Sequence, residues 1–121
     1  MGDDITRRWW VFDSLCDPAE LAGMKHATNT IEQQFLNAQG GRQVNIDPGI
    51  ISMSNVILAT TKNYSHRIYL GKGIYAEVTL LFTAKSFTVL DWTYPDYRES
   101  STIDFFNQAR TLLKDILAHD I

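Results

Sequence analysis

The hydrophobic periodicity changes twice along this chain of 121 residues, and these changes restrict its fold more than any other feature. Between residues 42 and 90, apolar side chains recur at every second position, and Gly or Asp-Pro-Gly interrupts the runs, which is typical of strands and tight turns. On both sides of this region the apolar spacing is three and four, as on amphipathic helices. Because such helices need an apolar surface to cover, we predict an α+β domain: a mostly antiparallel sheet with two amphipathic helices packed on one side.

The first helix has a clear start signal. Asp17 is the predicted N-cap, Pro18 takes the first helical position, and Glu20 completes a capping-box pattern. We expect the helix to end at Gly40-Gly41. Its predicted apolar stripe consists of Leu21, Met24, Thr28, Ile31 and Phe35.

The second helix follows Pro95 and is predicted to open at Ser101, with Asp104 three positions later. Its apolar residues recur at helical spacing and give it a wide buried face. That face consists of Ile103, Phe106, Ala109, Leu113, Ile116 and Leu117.

Two further segments are predicted as strands. Residues 7–13 hold a run of aromatic and β-branched side chains, which favours a strand buried on both faces. Residues 54–61 would suit a central strand or a short buried helix, and the dominance of Val, Ile and Thr favours the strand.

A hairpin follows from residues 67–77. If residues 71–73 form its loop, Arg67 pairs with Glu77 and Tyr69 with Tyr75, and alternation places these four side chains on one face. That face is either a solvated surface with an ordinary ion pair or the lining of a cleft, where Arg67 would bind an anion and Glu77 would act as a base. The opposite, core-facing side would hold Ile68, Leu70, Ile74, Ala76, Val78, Leu80 and Phe82.

The candidate site surrounds this face. His66 is predicted at the edge of the core-facing side, where a histidine is either a buried hydrogen-bonded residue or an alternative base. The loop of residues 92–98 either folds back on the sheet or forms the rim of a pocket. The predicted catalytic residues are Glu77, Asp96 and His66. The predicted ligand-binding residues are Lys62, Arg67, Tyr69, Tyr75, Asp47, Tyr94 and Arg98.

Composition narrows the class of protein. A hydrophobic content of 45% and a charged content of 21% predict one folded, soluble domain over residues 1–121, with residues 1–6 as a disordered tail. No apolar run would cross a bilayer, which predicts a cytoplasmic protein. Cys16 is the single cysteine, so an intramolecular disulfide and a cysteine-rich zinc site are excluded. No metal site is predicted, and no motif specifies a cofactor.

Five sequence blocks in order carry a family resemblance. The blocks are Asn45-Ile46-Asp47-Pro48-Gly49, Leu58-Ala59-Thr60-Thr61-Lys62, His66-Arg67-Ile68-Tyr69-Leu70, Gly73-Ile74-Tyr75-Ala76-Glu77 and Trp92-Thr93-Tyr94-Pro95-Asp96-Tyr97-Arg98. With these blocks the chain resembles the prokaryotic domain-of-unknown-function family 4416, which has no assigned activity. Some members carry a GTP-binding label, but this chain has no recognisable phosphate loop.

The resemblance also has a consequence for the N-terminus. Family members have several dozen further residues upstream, including another strand, and Met1-Gly2 resembles an internal Met-Gly of the family. The resemblance therefore implies that this chain lacks the family's N-terminal segment. We then expect an exposed sheet edge near residues 7–12, closed by homo-oligomerisation or strand exchange.

Two functions remain open at this point. The first is the binding of a small anionic ligand, phosphorylated or nucleotide-like, on the polar sheet face, with or without catalysis. The alternative is a non-catalytic protein-interaction or assembly module. RNA stacking would suit Tyr69 and Tyr75, but the net charge of -3 argues against a nucleic-acid partner.

Overall fold

The computed structural model of the protein describes residues 7–119, so the predicted tail of residues 1–6 lies outside the described part. A short 3-10 turn, Pro18–Glu20, leads into helix α1, Leu21–Gln33. Strands β1 (Gly49–Ile51), β2 (Asn55–Thr60), β3 (Arg67–Gly71), β4 (Ile74–Thr83) and β5 (Ser86–Val89) follow, and then helices α2 (Pro95–Arg98) and α3 (Ser100–His119). The predicted α+β class with an antiparallel sheet is confirmed.

Strand β4 is the centre of the sheet. Strand β2 runs along one of its sides and connects to β1, while β3 and β5 both pair with its other side. Strand β3 takes the N-terminal half of β4 and β5 the C-terminal half. The predicted strand at residues 54–61 is therefore confirmed as β2.

A β-bulge interrupts the alternation of side chains along β4, so that residues at even positions point to one face before the bulge and to the opposite face after it. Val56 pairs with Leu80, but the next residue, Ile57, pairs with Val78, so Thr79 is an extra residue in β4. Because Val56 and Ile57 are neighbours and point to opposite faces, their partners also point to opposite faces. The prediction that one face of β4 carries Ile74, Ala76, Val78, Leu80 and Phe82 is therefore wrong beyond Val78.

The bulge explains why the sheet has a core on each face. On one face, Leu21 and Ala22 of α1 pack on Ala59 and Ile74. The second core lies on the opposite face and includes residues from α2 and α3. Its buried members are Val56, Leu80, Phe87, Tyr97 and Phe106. The structure thus differs from the predicted placement of the helices on one side, since α1 and α3 cover opposite faces.

Helix α1 begins near the predicted position. The side chain of Asp17 accepts a hydrogen bond from the backbone N–H of Ala19 at 2.9 Å, whereas Glu20 makes no side-chain capping bond. The helix ends at Gln33, before the two glycines. Ile31 of the predicted stripe is exposed, whereas its neighbour Glu32 is buried. The buried carboxylate of Glu32 accepts a hydrogen bond from the backbone N–H of Ile46 at 2.6 Å.

Helix α3 confirms the second predicted helix and starts one residue earlier than expected. Its buried residues lie in the N-terminal half, Thr102, Phe106 and Ala109, whereas Leu117 is exposed. Helix α2, one turn beginning at Pro95, was not predicted. No helix within residues 7–119 is long and apolar enough to cross a membrane.

The segment of residues 7–13 is not a strand, so that prediction is wrong. Trp9 packs edge-on against Tyr97 and Phe106, with ring centroids 4.7 and 5.5 Å apart, but Trp10 and Phe12 are exposed. One aromatic side chain therefore anchors the segment, and no strand of residues 7–119 lies beside its backbone.

The β3–β4 hairpin has the predicted register from Arg67–Glu77 to Tyr69–Tyr75. Its turn is tighter than predicted, because Gly71 rather than Leu70 pairs with Ile74. Lys72 and Gly73 form the two-residue turn with φ of 56° and 78°. Ile68 and Leu70, predicted to face the core, are exposed.

Candidate functional site

A buried carboxylate, that of Glu77, lies at the centre of the predicted polar face. Glu77 is on β4 opposite Arg67, and its Oε1 accepts a hydrogen bond from Nε of Arg67 at 2.9 Å and forms an ion pair with Nη2, also at 2.9 Å. The Nε2 of His66 is 2.7 Å from the same oxygen. Thr79, the extra residue of the bulge, donates from its hydroxyl to Oε2 at 3.3 Å. The side chain of Glu77 is only 4% exposed, and these donors replace the water it has lost.

The guanidinium of Arg67 is fully engaged within the protein. Besides its bonds to Glu77, its Nη1 donates to the backbone carbonyl of Lys62 at 3.1 Å. The Tyr64 ring covers the guanidinium at 4.3 Å from its centroid, a cation–π contact. With 3% of its side chain exposed, Arg67 presents little surface to a ligand.

His66 is the most accessible of the side chains that bond to Glu77. Its ring stacks on Trp92 with centroids 4.6 Å apart, and 20% of the side chain is accessible. Its Nδ1 makes no hydrogen bond within residues 7–119. His66 was predicted on the core-facing side, which is wrong. It precedes the first residue of β3, so the alternation of the strand does not fix its direction.

The loop of residues 92–98 folds back on the sheet, one of the two predicted alternatives. The indole N–H of Trp92 donates to the carbonyl of Val78 at 2.8 Å, and the hydroxyl of Thr93 donates to the carbonyl of Thr79 at 2.7 Å. The two acceptors are the carbonyls at the bulge. The bulge therefore positions Trp92 beside His66.

Arg7 joins two of the predicted acidic residues. It lies 3.1 Å from Asp47 and 2.9 Å from Asp96, and its guanidinium also lies over the rings of Trp9 and Tyr97. Burial lowers the pKa of Arg7, but the hydrogen bond to Asp47 and the charges around it more than offset this, so the pKa is raised.

Tyr97 lies between this ion pair and the Glu77 group. Burial is the main cause of its raised pKa, and the charges of Asp47, Asp96 and Glu77 contribute in the same direction. The charge of Arg7 acts against them. The phenol is consequently held in its neutral form well above pH 10.0.

The other predicted site residues are dispersed. Tyr69 and Tyr75 share the Glu77 face, with ring centroids 5.1 Å apart, and lie two residue pairs nearer the turn than Arg67 and Glu77. Arg98 donates to the backbone carbonyls at Leu90, Asp91 and Thr93, so it holds the loop together. Tyr94 and the side chain of Lys62 are exposed.

Sequence reasoning thus predicted the Arg67–Glu77 pair but missed Tyr64 and Thr79, which contact it, and Arg7, which pairs with Asp47 and Asp96. These three residues had no signal in the pattern of residues. Arg7 meets Asp96 across 89 positions, and Thr79 depends on a bulge that strand alternation does not show. Within residues 7–119 no group of three His, Cys, Asp or Glu side chains is placed to hold a metal ion.

Comparison with known proteins gives a family and no activity. No curated protein and no solved structure matches the chain. The family described as Domain of unknown function (DUF4416) matches residues 1–112, which is most of the sequence. The chain therefore belongs to the DUF4416 family.

Proposed function

We propose that the protein binds a small anionic ligand, phosphorylated or nucleotide-like, at the surface of the His66–Glu77 group, with His66 as the residue that meets it. The observation that carries this proposal is the orientation of the His66 imidazole, in which one ring nitrogen faces the buried Glu77 and the other has no partner in the described part of the chain. Its Nε2 is held 2.7 Å from the buried Glu77 carboxylate, and its Nδ1 is left without a partner in residues 7–119.

The chemistry of the histidine follows from that orientation. An ionised Glu77 accepts the Nε2–H of His66, so a neutral ring carries its lone pair on Nδ1. A protonated ring is stabilised by the same carboxylate and donates from Nδ1, as an anion requires. Glu77 is a positioning residue in this proposal, because its buried oxygens are already used by Arg67, His66 and Thr79.

The surroundings of His66 suit an anion with an aromatic or apolar part. Trp92 lies flat against the imidazole, and Tyr64 is 6.2 Å from it, so both rings offer stacking surface. Lys62 is exposed beside Arg67 and forms no ion pair within residues 7–119, so it supplies a second positive charge. Arg67, predicted to bind the anion directly, instead compensates the charge of Glu77.

Catalysis would use the same atoms. A neutral His66 can take a proton from a bound molecule at Nδ1, and Glu77 would stabilise the imidazolium that forms. Asp96, the other predicted catalytic carboxylate, is paired with Arg7. His66 is therefore the group that we propose for any proton transfer.

The proposal is tested by thermal unfolding with single probes: inorganic phosphate, ADP, GDP and a sugar phosphate. A ligand at 100 times its Kd stabilises the native state by about 2.7 kcal/mol, which is a shift of several degrees in Tm. We expect a shift of this size with at least one of these probes.

Matched variants separate the site from general effects of charge. We expect His66→Gln and Lys62→Gln to lose the shift, and His26→Gln and Lys85→Gln, which change exposed residues elsewhere, to keep it. No shift with any probe, or a shift that His66→Gln retains, would contradict the ligand site. The protein-interaction alternative would then be the better account of the exposed aromatic side chains around His66.

A further inference from the structure

Tyr64 is held in place from the side that faces the protein. It lies in the loop between β2 and β3, and its carbonyl accepts a hydrogen bond from the backbone N–H of Arg67 at 3.0 Å. Its ring also covers the Arg67 guanidinium, whose carbon is 4.3 Å from the ring centroid. Arg67 is itself fixed against the buried Glu77, so the tyrosine ring is positioned before a ligand binds.

The other face of the Tyr64 ring is open. Tyr64 is 50% exposed, although one face of its ring lies on the guanidinium of Arg67. The accessible surface is therefore on the side that is turned away from Arg67. Within residues 7–119 its one aromatic neighbour, His66, is 6.2 Å away and tilted by 39°, so no ring is stacked on that face.

The chemistry of the open face favours a planar, uncharged ring. A guanidinium on one face of a tyrosine draws the π electrons toward itself, so the outer face is a poor site for a second cation. Nucleic-acid bases stack on such rings because every base has a flat π surface. A tyrosine that is already ordered loses little conformational freedom when a base stacks on it.

Trp92, the other aromatic ring beside His66, is already used by the protein. It stacks on the imidazole with centroids 4.6 Å apart and the two planes inclined by 20°. Its indole N–H donates to the carbonyl of Val78 at 2.8 Å. Trp92 therefore holds His66, and Tyr64 is the ring that can contact an aromatic part of a ligand.

We propose, on the basis of the anion site proposed above, that Tyr64 stacks on the base of a nucleoside monophosphate whose phosphate lies at His66 and Lys62. The 6.2 Å between the ring centroids of Tyr64 and His66 is a span that a ribose can bridge between a base and its phosphate. Tyr64 is thus the residue that selects a nucleotide over a phosphorylated sugar.

Two ligands that differ in the base test this proposal: AMP and ribose 5-phosphate. Both carry the ribose and its phosphate, and a hydroxyl replaces the adenine in the second. We expect titration calorimetry to give a Kd for AMP at least about fivefold below that for ribose 5-phosphate, because one base gains a stacking contact. The ratio of the two Kd values within one protein is the readout, since a change in phosphate binding affects both ligands alike.

Variants then assign this ratio to Tyr64. Tyr64→Phe keeps the ring and should keep the ratio. Tyr64→Leu should bring the ratio close to one and change the Kd for ribose 5-phosphate by less than about twofold. Phe35→Leu is the matched control and should keep the ratio, because Phe35 is 49% exposed and lies just after α1, outside the site.

The outcomes separate this inference from the anion site on which it rests. Equal affinity of the wild type for both compounds, a ratio that Tyr64→Leu retains, or a ratio that Phe35→Leu loses would overturn the role of Tyr64 and leave the anion site standing. Binding of neither compound by the wild type would overturn both proposals.

Discussion

Arg67 and Glu77 lie opposite each other on β3 and β4, joined at 2.9 Å, and both side chains are almost wholly shielded from water. A buried ion pair loses the hydration of both charges, and the attraction between the charges does little more than offset this loss, so the pair adds little net stability. Removing one partner leaves an uncompensated buried charge, which destabilises the folded state.

Removing one partner of this pair should therefore destabilise the protein strongly. We expect Arg67→Met to lower the free energy of unfolding by about 3 kcal/mol, toward the low end of the usual range because His66 still contacts Glu77. The double variant Arg67→Met/Glu77→Leu should lie much closer to the wild type. Urea unfolding of all three proteins measures this. A double variant as unstable as the single one would mean that the pair contributes directly to stability.

The sequence was sufficient to predict this pair because its determinants are local. A three-residue loop over residues 71–73 predicts that Arg67 pairs with Glu77, and the structure keeps this register because an irregular pairing between Tyr69 and Gly71 compensates for the shorter turn. The helix start signal at Asp17 and the apolar spacing of α3 are local in the same way. These are the parts of the prediction that the structure confirms.

The parts that were missed depend on contacts between distant residues. The bulge at Thr79 reverses the faces of β4, and nothing in a run of alternating apolar residues indicates it. Residues 7–13 have the composition of a strand, but Trp9 anchors them against Tyr97 and Phe106, and Arg7 pairs with Asp47 and Asp96. Tertiary packing overrides the local preference there.

Tyr97 should make the stability of the protein fall at alkaline pH. Because its pKa is raised in the folded state, an unfolded chain ionises this phenol above pH 10.0 while the folded chain keeps it protonated. The contribution is fully present below pH 10.0 and is lost as the pH rises from there toward the folded-state pKa, by at most about 1.4 kcal/mol per pH unit.

The control for this effect is a phenylalanine at the same position. Tyr97→Phe keeps the aromatic packing on Trp9 and Phe106, so it should remove this part of the alkaline loss. Denaturant midpoints between about pH 8 and about pH 11 measure the loss in the wild type and the variant, with the exposed Tyr94→Phe as comparison. An alkaline loss identical in Tyr97→Phe would contradict the assignment.

The β4–β5 turn contains a residue in an unfavourable backbone conformation. Ala84 has a φ of 57°, which glycine adopts with less strain. We expect Ala84→Gly to stabilise the protein by about 0.5 kcal/mol, measured by thermal unfolding. Ala27→Gly, an exposed position in the regular helix α1, should instead destabilise it by about 1 kcal/mol. Destabilisation by both changes would argue against strain at Ala84.

Thr93 connects the bulge to the loop that supports His66, and its hydroxyl should matter to both stability and the site. The side chain is buried, donates to the carbonyl of Thr79 at 2.7 Å and accepts from the N–H of Leu90 at 2.9 Å. Thr93→Val keeps the shape and leaves both backbone groups without this partner, so we expect a loss of about 2 kcal/mol in urea unfolding. Thr93→Ser should retain most of the stability.

Thr111→Val provides the matched control, because the exposed Thr111 hydroxyl bonds only to a carbonyl of its own helix, that of Asn107. We expect it to change stability by less than about 0.5 kcal/mol. Since Trp92 is next to Thr93 and stacks on His66, Thr93→Val should also alter the environment of His66, which its imidazole NMR signals would report. If Thr93→Val cost no more than Thr111→Val and left those signals unchanged, the bulge would not be what positions Trp92 beside His66.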